Sequence, residues 1–193
     1  MSKRISLDTI DHDLDGGNMS GIVPRVIYGY WEDVAAWPTE PKPTELAGVV
    51  TPMTLEQAGA LVGDVVMKSG TKAFNFDFTE DVGSLKINSV GETDAAHVEY
   101  DLSLTKAKIA KKILGFQNAA LERKMFFIIQ DENGNYYLMG NKRRGCTYVT
   151  GGDGNTTGAT SSDRNQSVVN FKFRASKGYL YEGDVEDILV QVP

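Results

Sequence analysis

The chain has 193 residues and a formal net charge of −6. That length suits one domain, or one domain with an arm, and suffices to bury a core. The acidic balance argues against a nucleic-acid-gripping surface, which carries a basic stripe, and a single cysteine, Cys146, excludes an internal disulfide.

The opening MSKRISLDTIDHDLDGG has two basic residues but no apolar stretch behind them, so no secretory signal is expected. No run approaches the roughly 18–20 apolar residues that span a bilayer. The expected protein is made in the cytoplasm and meets no membrane. Residues 1–24 are polar and Gly-rich and read as an N-terminal arm. Residues 25–193 read as a single β domain.

Residues 25–34, RVIYGYWEDV, alternate enough for a strand. Residues 35–53 hold Pro38, Pro41, Pro43 and Pro52 and read as an extended loop. Thr54-Leu55-Glu56-Gln57 fits a capping box, which predicts a short helix over 55–62. In 73–78, Phe74, Phe76 and Phe78 share one strand face. Strands follow at 84–90 and 96–104, the second with Val98, Tyr100, Leu102 and Leu104 on one face.

The spacing of Ile109, Ile113, Phe116 and Ala120 predicts a helix over 105–121. Lys106, Lys108, Lys111 and Lys112 crowd its first half, where positive charge opposes the helix dipole. They read as a solvated face, with a contact to an acidic neighbour as the sharper alternative. Next come two β-rich runs, Met125–Gln130 and Tyr136–Met139, around Asp131-Glu132-Asn133-Gly134-Asn135. This is a hairpin whose Asn-Gly pair supplies positive φ. The Gly/Ser/Thr/Asn-rich stretch 146–166 lacks periodicity and reads as a long exposed loop, mobile in an isolated subunit and ordered by a neighbour. Val169, Phe171 and Phe173 then alternate with Asn170, Lys172 and Arg174 in a strand over 167–174. Ile188, Val190 and Val192 predict a last strand over 185–192. The fold expected is mainly β, an antiparallel sandwich or barrel flanked by one central helix.

Few motifs carry chemistry. Asp11-His12-Asp13-Leu14-Asp15-Gly16 opens like a calcium loop, but the twelfth position is Ile22 where a bidentate Glu is needed, so a solvated acidic turn is the reading. Gly151-Gly152-Asp153-Gly154-Asn155 resembles one unit of a calcium-binding β-roll, a unit that needs stacked copies. His12, His97 and Cys146 are the only imidazole and thiol groups; a Cys/His pair through space is weaker than a structural role for each. Cys146→Ser is expected to be nearly neutral. Lys142-Arg143-Arg144 is a basic knot that could touch phosphate but more often meets a neighbouring carboxylate. Tyr28, Tyr30, Trp31 and Trp37 suggest core packing, with a sugar platform as the alternative. No residue is assigned a catalytic, cofactor-binding or metal-binding role, and no enzyme is expected.

The order of these segments is itself informative. Gly16-Gly17 and VIYGYWEDV are followed by FNFDFTEDVGSLK, VGETD, an alternating strand, the helix, and the FFIIQDENGNYYLMG hairpin with Gly145 behind it. Then come the Gly/Thr-rich loop, Ser162-Asp163-Arg164-Asn165, NFKFRAS and Tyr179-Leu180-Tyr181-Glu182-Gly183. Over most of 16–183 the pattern resembles the tail or tail-tube proteins of tailed phages that infect Bacteroidetes-type bacteria. The arm at 1–24 and the proline-rich loop depart from the family's shortest members. The resemblance implies a β-sandwich flanked by a helix, rings of six subunits stacked into a tube, and no catalytic residues. The same tube fold recurs in contractile injection systems and type VI secretion. The partners it implies are further copies of the chain, other tail or neck proteins, and genomic DNA passing through the lumen without specific binding. The place implied is the virion tail. Two alternatives stand beside it: a head–tail connector or neck protein, and a non-viral β-sandwich binding module of the sugar- or calcium-binding adhesin type.

Overall fold

The computed structural model describes residues 4–10, 18–92, 94–150, 154–160 and 162–189. Its strands are β1 (Ile22–Tyr30), β2 (Val34–Ala36), β3 (Thr44–Leu46), β4 (Val49–Thr51), β5 (Val66–Met67), β6 (Phe74–Asp77), β7 (Ser84–Val90), β8 (His97–Ala107), β9 (Met125–Asp131), β10 (Tyr136–Met139), β11 (Thr147–Tyr148) and β12 (Gln166–Ala175). Two α-helices, α1 (Leu55–Gly59) and α2 (Lys111–Glu122), interrupt them.

Two four-stranded antiparallel sheets dominate, in the orders β10-β9-β1-β6 and β11-β12-β8-β7. Both send side chains into one core. Phe76, Phe127, Ile129 and Met139 come from the first sheet; Tyr100, Leu102, Leu104, Val169, Phe171 and Phe173 come from the second. Helix α2 adds Ile113, Ala120 and Phe116, whose ring meets Tyr28, Phe76 and Phe171. The expectation of a mainly-β antiparallel fold with one substantial helix is met.

The first sheet is covered on both faces. Along β9, Met125, Phe127 and Ile129 face the shared core, while Phe126 and Ile128 face a second core built from Val34, Val65, Ala73, Leu138, Tyr181 and Ile188. This is why MFFII runs without a polar break: a strand buried on both faces has no wet positions. Each large side chain so buried contributes about 1.5–3 kcal/mol.

Several expected boundaries move. The structure corrects the helix over 105–121. Residues Thr105–Ala107 continue β8, because β12 reaches back to pair with them as far as Gln166 opposite Ala107. The chain then turns at Lys108, which takes φ 70°. Its N–H donates to the Asn165 carbonyl, and the Ile109 N–H donates to Asn165 Oδ1. Lys106 is therefore a strand residue whose Nζ donates to the Asp77 carbonyl, and only Lys111 and Lys112 enter the helix. The strand expected over 185–192 is also corrected within the described residues. There, Asp184 Oδ1 accepts from the Glu186 N–H, 186–188 form a turn, and Leu189 makes a single bridge to Ala73. The proline-rich segment contains an unforeseen hairpin, β3–β4, with Ala47 and Gly48 at φ 49° and 80° in its turn. The capping box at Thr54 is present, with Thr54 Oγ1 accepting from the Gln57 N–H and Gln57 Oε1 from the Thr54 N–H.

The long loop is more anchored than its composition suggests. Cys146 bridges Met125, β11 pairs with β12, and Thr156 bridges Gln166. Between them Asn155 and Gln117 exchange two amide hydrogen bonds of 2.8 and 3.0 Å. Among the described residues, neither helix is long and apolar enough to cross a membrane.

Candidate functional site

The described residues form an open cleft of about 850 Å³. Four separate segments build it: Pro38–Lys42 after β2, His97 at the start of β8, the turn Asn141–Arg144 after β10, and Arg174–Ser176 at the end of β12. Its most distinctive part is the turn. Asn141 Oδ1 accepts from the backbone N–H groups of Arg143 and Arg144 at 2.9 and 3.0 Å, and the backbones of Asn141 and Arg144 pair with each other. The Asn141 carbonyl also accepts from Trp31 Nε1 at 2.7 Å. Behind the turn, Gly145 lies so close that a Cβ would fall 2.8 Å from the Trp31 ring, so only glycine fits. Three consecutive cations, Lys142, Arg143 and Arg144, are thus held outward on a fixed backbone.

The charges around the cleft are unequal in their partners. Arg174 donates to Glu99 Oε1 at 2.6 Å, and Lys172 lies 3.2 Å from Asp101. These pairs sit opposite one another in the β12–β8 register. Arg174 beside it holds the Glu99 carboxyl below the usual range. Glu40 accepts from the hydroxyls of Ser176 and Tyr179. Burial first, then Glu40, pushes the Tyr179 phenol up to about 12. By contrast, Lys42, Lys142, Arg143 and Arg144 form no ion pair among the described residues. His97 turns Nδ1 toward the Ala95 carbonyl, while its Nε2, out of reach of solvent, lies 3.8 Å from Glu99 Oε1 and has no hydrogen-bond partner among the described residues. Such an arrangement can attract and hold anionic groups by charge.

The basic knot flagged in the sequence is therefore one wall of this cleft, while Lys42 and His97, far away in sequence, complete it. Nothing in sequence spacing joins them, because they meet only through the folding of the two sheets. Cys146 is elsewhere. It is buried in the shared core, its Sγ donates to the Met139 carbonyl at 3.1 Å, and burial pushes its thiol up. The near-neutrality expected of Cys146→Ser is revised, since the position is a core site and not an exposed loop. Of the aromatic group, Tyr28, Tyr30 and Trp37 pack half-buried against the two cores, Tyr28 among Phe74, Phe76, Phe116 and Phe127 and Trp37 edge-on to Phe126, while Trp31 supports the turn. The calcium-loop-like segment Asp11–Gly16, with His12, lies outside the described residues, as do Gly151–Asp153. No family model, curated protein or solved structure matches this chain.

Proposed function

We propose that this chain is a structural virion protein, the tail tube subunit of a tailed phage, which assembles as stacked rings of six around a conduit for DNA. The observation that supports the reading most is the β3–β4 hairpin. Its strands pair with each other and, among the described residues, with no other strand. At its tip Leu46 is 78% exposed and Val49 67% exposed. A lone two-stranded hairpin is marginal in water, and apolar side chains at its tip are what a partner surface would cover. A tube subunit needs such an element to reach its neighbour.

Other features are consistent with the same role. A mainly-β antiparallel fold with one substantial helix, α2, is compatible with the reading. Edge strand β7 has one side unpaired among the described residues, which assembly would cover. A net charge of −6 per subunit suits a lumen through which DNA slides without being gripped.

The test is a paired substitution at the hairpin tip. The Leu46→Asp/Val49→Asp variant should keep the native circular dichroism spectrum and thermal midpoint, since neither side chain is in a core. It should sediment as a monomer at concentrations where the unaltered chain sediments as rings or longer assemblies. Equal sedimentation of the two proteins, whatever their size, would remove the hairpin's role.

A further inference from the structure

We infer that the basic cleft receives the Glu182–Asp187 loop of a second copy of the chain, in a head-to-tail contact. This rests on the reading that the chain assembles with copies of itself and names one contact by which it does so.

The cleft side offers Lys42, Lys142, Arg143 and Arg144, none of which pairs with a carboxylate among the described residues. The loop side offers Glu182, Asp184, Glu186 and Asp187, all exposed and likewise without an ion pair among the described residues. Four positive groups on one surface thus face the same number of negative groups on another, and within one molecule they do not meet. The loop is as firmly held as the turn. Buried Tyr181 and Ile188 flank it, Tyr181 Oη accepts from the Val65 N–H and donates to the Asp184 carbonyl, and Asp64 Oδ1 accepts from the Asp184 N–H. Lys72 lies beside the loop but donates to the Asp187 carbonyl, and Asp184 Oδ1 accepts from the Glu186 N–H, while the carboxylates of Glu182, Glu186 and Asp187 form no ion pair among the described residues. Two preformed surfaces lose little conformational freedom on meeting.

A second copy fits better than a nucleic acid. A chain of net charge −6 repels a polyphosphate at long range. Among the described residues no Phe, Tyr or Trp side chain lines the cleft as a platform for a base to stack on. Cleft and loop are also different patches, so the contact is heterologous. Repeated contacts of this kind close into rings or run on as filaments, which is the geometry a tube requires. Contacts among exposed charges act mainly on association rate and salt dependence.

The test uses the full chain in sedimentation velocity at low and high salt. The unaltered protein should associate, and association should weaken as salt shortens the Debye length from about 10 Å at 0.1 M toward about 3 Å at 1 M. Arg143→Glu/Arg144→Glu should weaken association at least tenfold at low salt, and Glu182→Lys/Glu186→Lys should do the same. All four positions are exposed, and circular dichroism should show each variant folded. Mixing the two double variants should restore pairing, because this combination brings the unaltered cleft of the loop variant to the unaltered loop of the cleft variant. Should either double reversal misfold, Arg143→Gln/Arg144→Gln and Glu182→Gln/Glu186→Gln give the same comparison, each weakening association less. Unchanged association in the cleft variant, or failure of the combination to restore it, overturns this contact while leaving self-assembly standing. A monomeric unaltered chain at every salt overturns both. Fluorescence anisotropy with a labelled DNA duplex supplies the remaining arm. Binding that the cleft variant loses while its assembly is unchanged makes the cleft a nucleic-acid site and overturns the inference.

Discussion

Asp131 organises the central hairpin. Its Oδ1 accepts from the backbone N–H groups of Asn133 and Asn135 at 3.0 and 2.8 Å, and its Oδ2 accepts from Asn135 Nδ2 and Tyr137 Oη. Partial burial pulls its carboxyl upward, but the bonds from Asn135, Tyr137 and Asn133 outweigh that and leave it below the usual carboxylate range. A folded-state value below the unfolded one stabilises above the unfolded value, about 4, and that contribution is lost as pH falls through the folded value. Asp131→Ala should therefore cost about 1–2 kcal/mol at neutral pH, and the gap to the parent should narrow as urea melts are repeated below pH 4. A gap that is flat with pH would mean the charge on Asp131 plays no part. Cys146 makes the opposite case, a polar atom hidden from reagents. In the folded protein at pH 8 it should resist a disulfide reagent that labels it at once in guanidinium, since burial keeps the thiol protonated. Instant labelling of the folded chain would show that the core opens there. Both residues were visible in the sequence. The turn chemistry of Asp131–Asn135 was legible because it is local. The burial of Cys146 was not, because it depends on Met125 and Met139 lying beside it.

Elements with one dry face were legible for the same local reason. Strand β7 falls where alternation placed it, β10 falls where the hairpin turn placed it although both its faces are covered, and β8 and β12 extend the expected strands by a few residues. The segment from 105 to 110 misled because Ile109 fits a helical period with Ile113 and Phe116, while β12 offers Thr105–Ala107 a strand partner. The partner is distant in sequence, and it wins. Hairpin β3–β4 was hidden because its turn is Ala47-Gly48, not Asn-Gly, and because prolines surround it. Helix α2 starts badly. Its N-cap, Ala110, has extended backbone but no side chain to accept a hydrogen bond, and Lys111 and Lys112 follow it. Ala110→Asp would add both an acceptor for the free N–H groups and a favourable charge. It should stabilise the fold by about 1 kcal/mol, read as a raised thermal midpoint. An unchanged or lowered midpoint would show that the helix start is fixed by its neighbours and not by capping.

At the scale of the molecule, the mainly-β architecture followed from patterning alone, but the double covering of the first sheet did not. It depends on Val34, Val65, Ala73 and Tyr181 folding back over Phe126 and Ile128, and no period in the sequence marks that return. The cleft is of the same kind: Lys142-Arg143-Arg144 was legible as a cluster, and its meeting with Lys42 and His97 was not. What distinguishes this molecule is the set of features it leaves open, namely an apolar hairpin tip, an unpaired sheet edge and two complementary charged surfaces. The self-assembly proposed above would account for all of them together. Negative-stain electron microscopy of the purified full-length chain tests that most directly. The account predicts annular particles of six subunits with an open centre, some of them stacked into tubes. A field of single compact particles at every concentration and salt would contradict it.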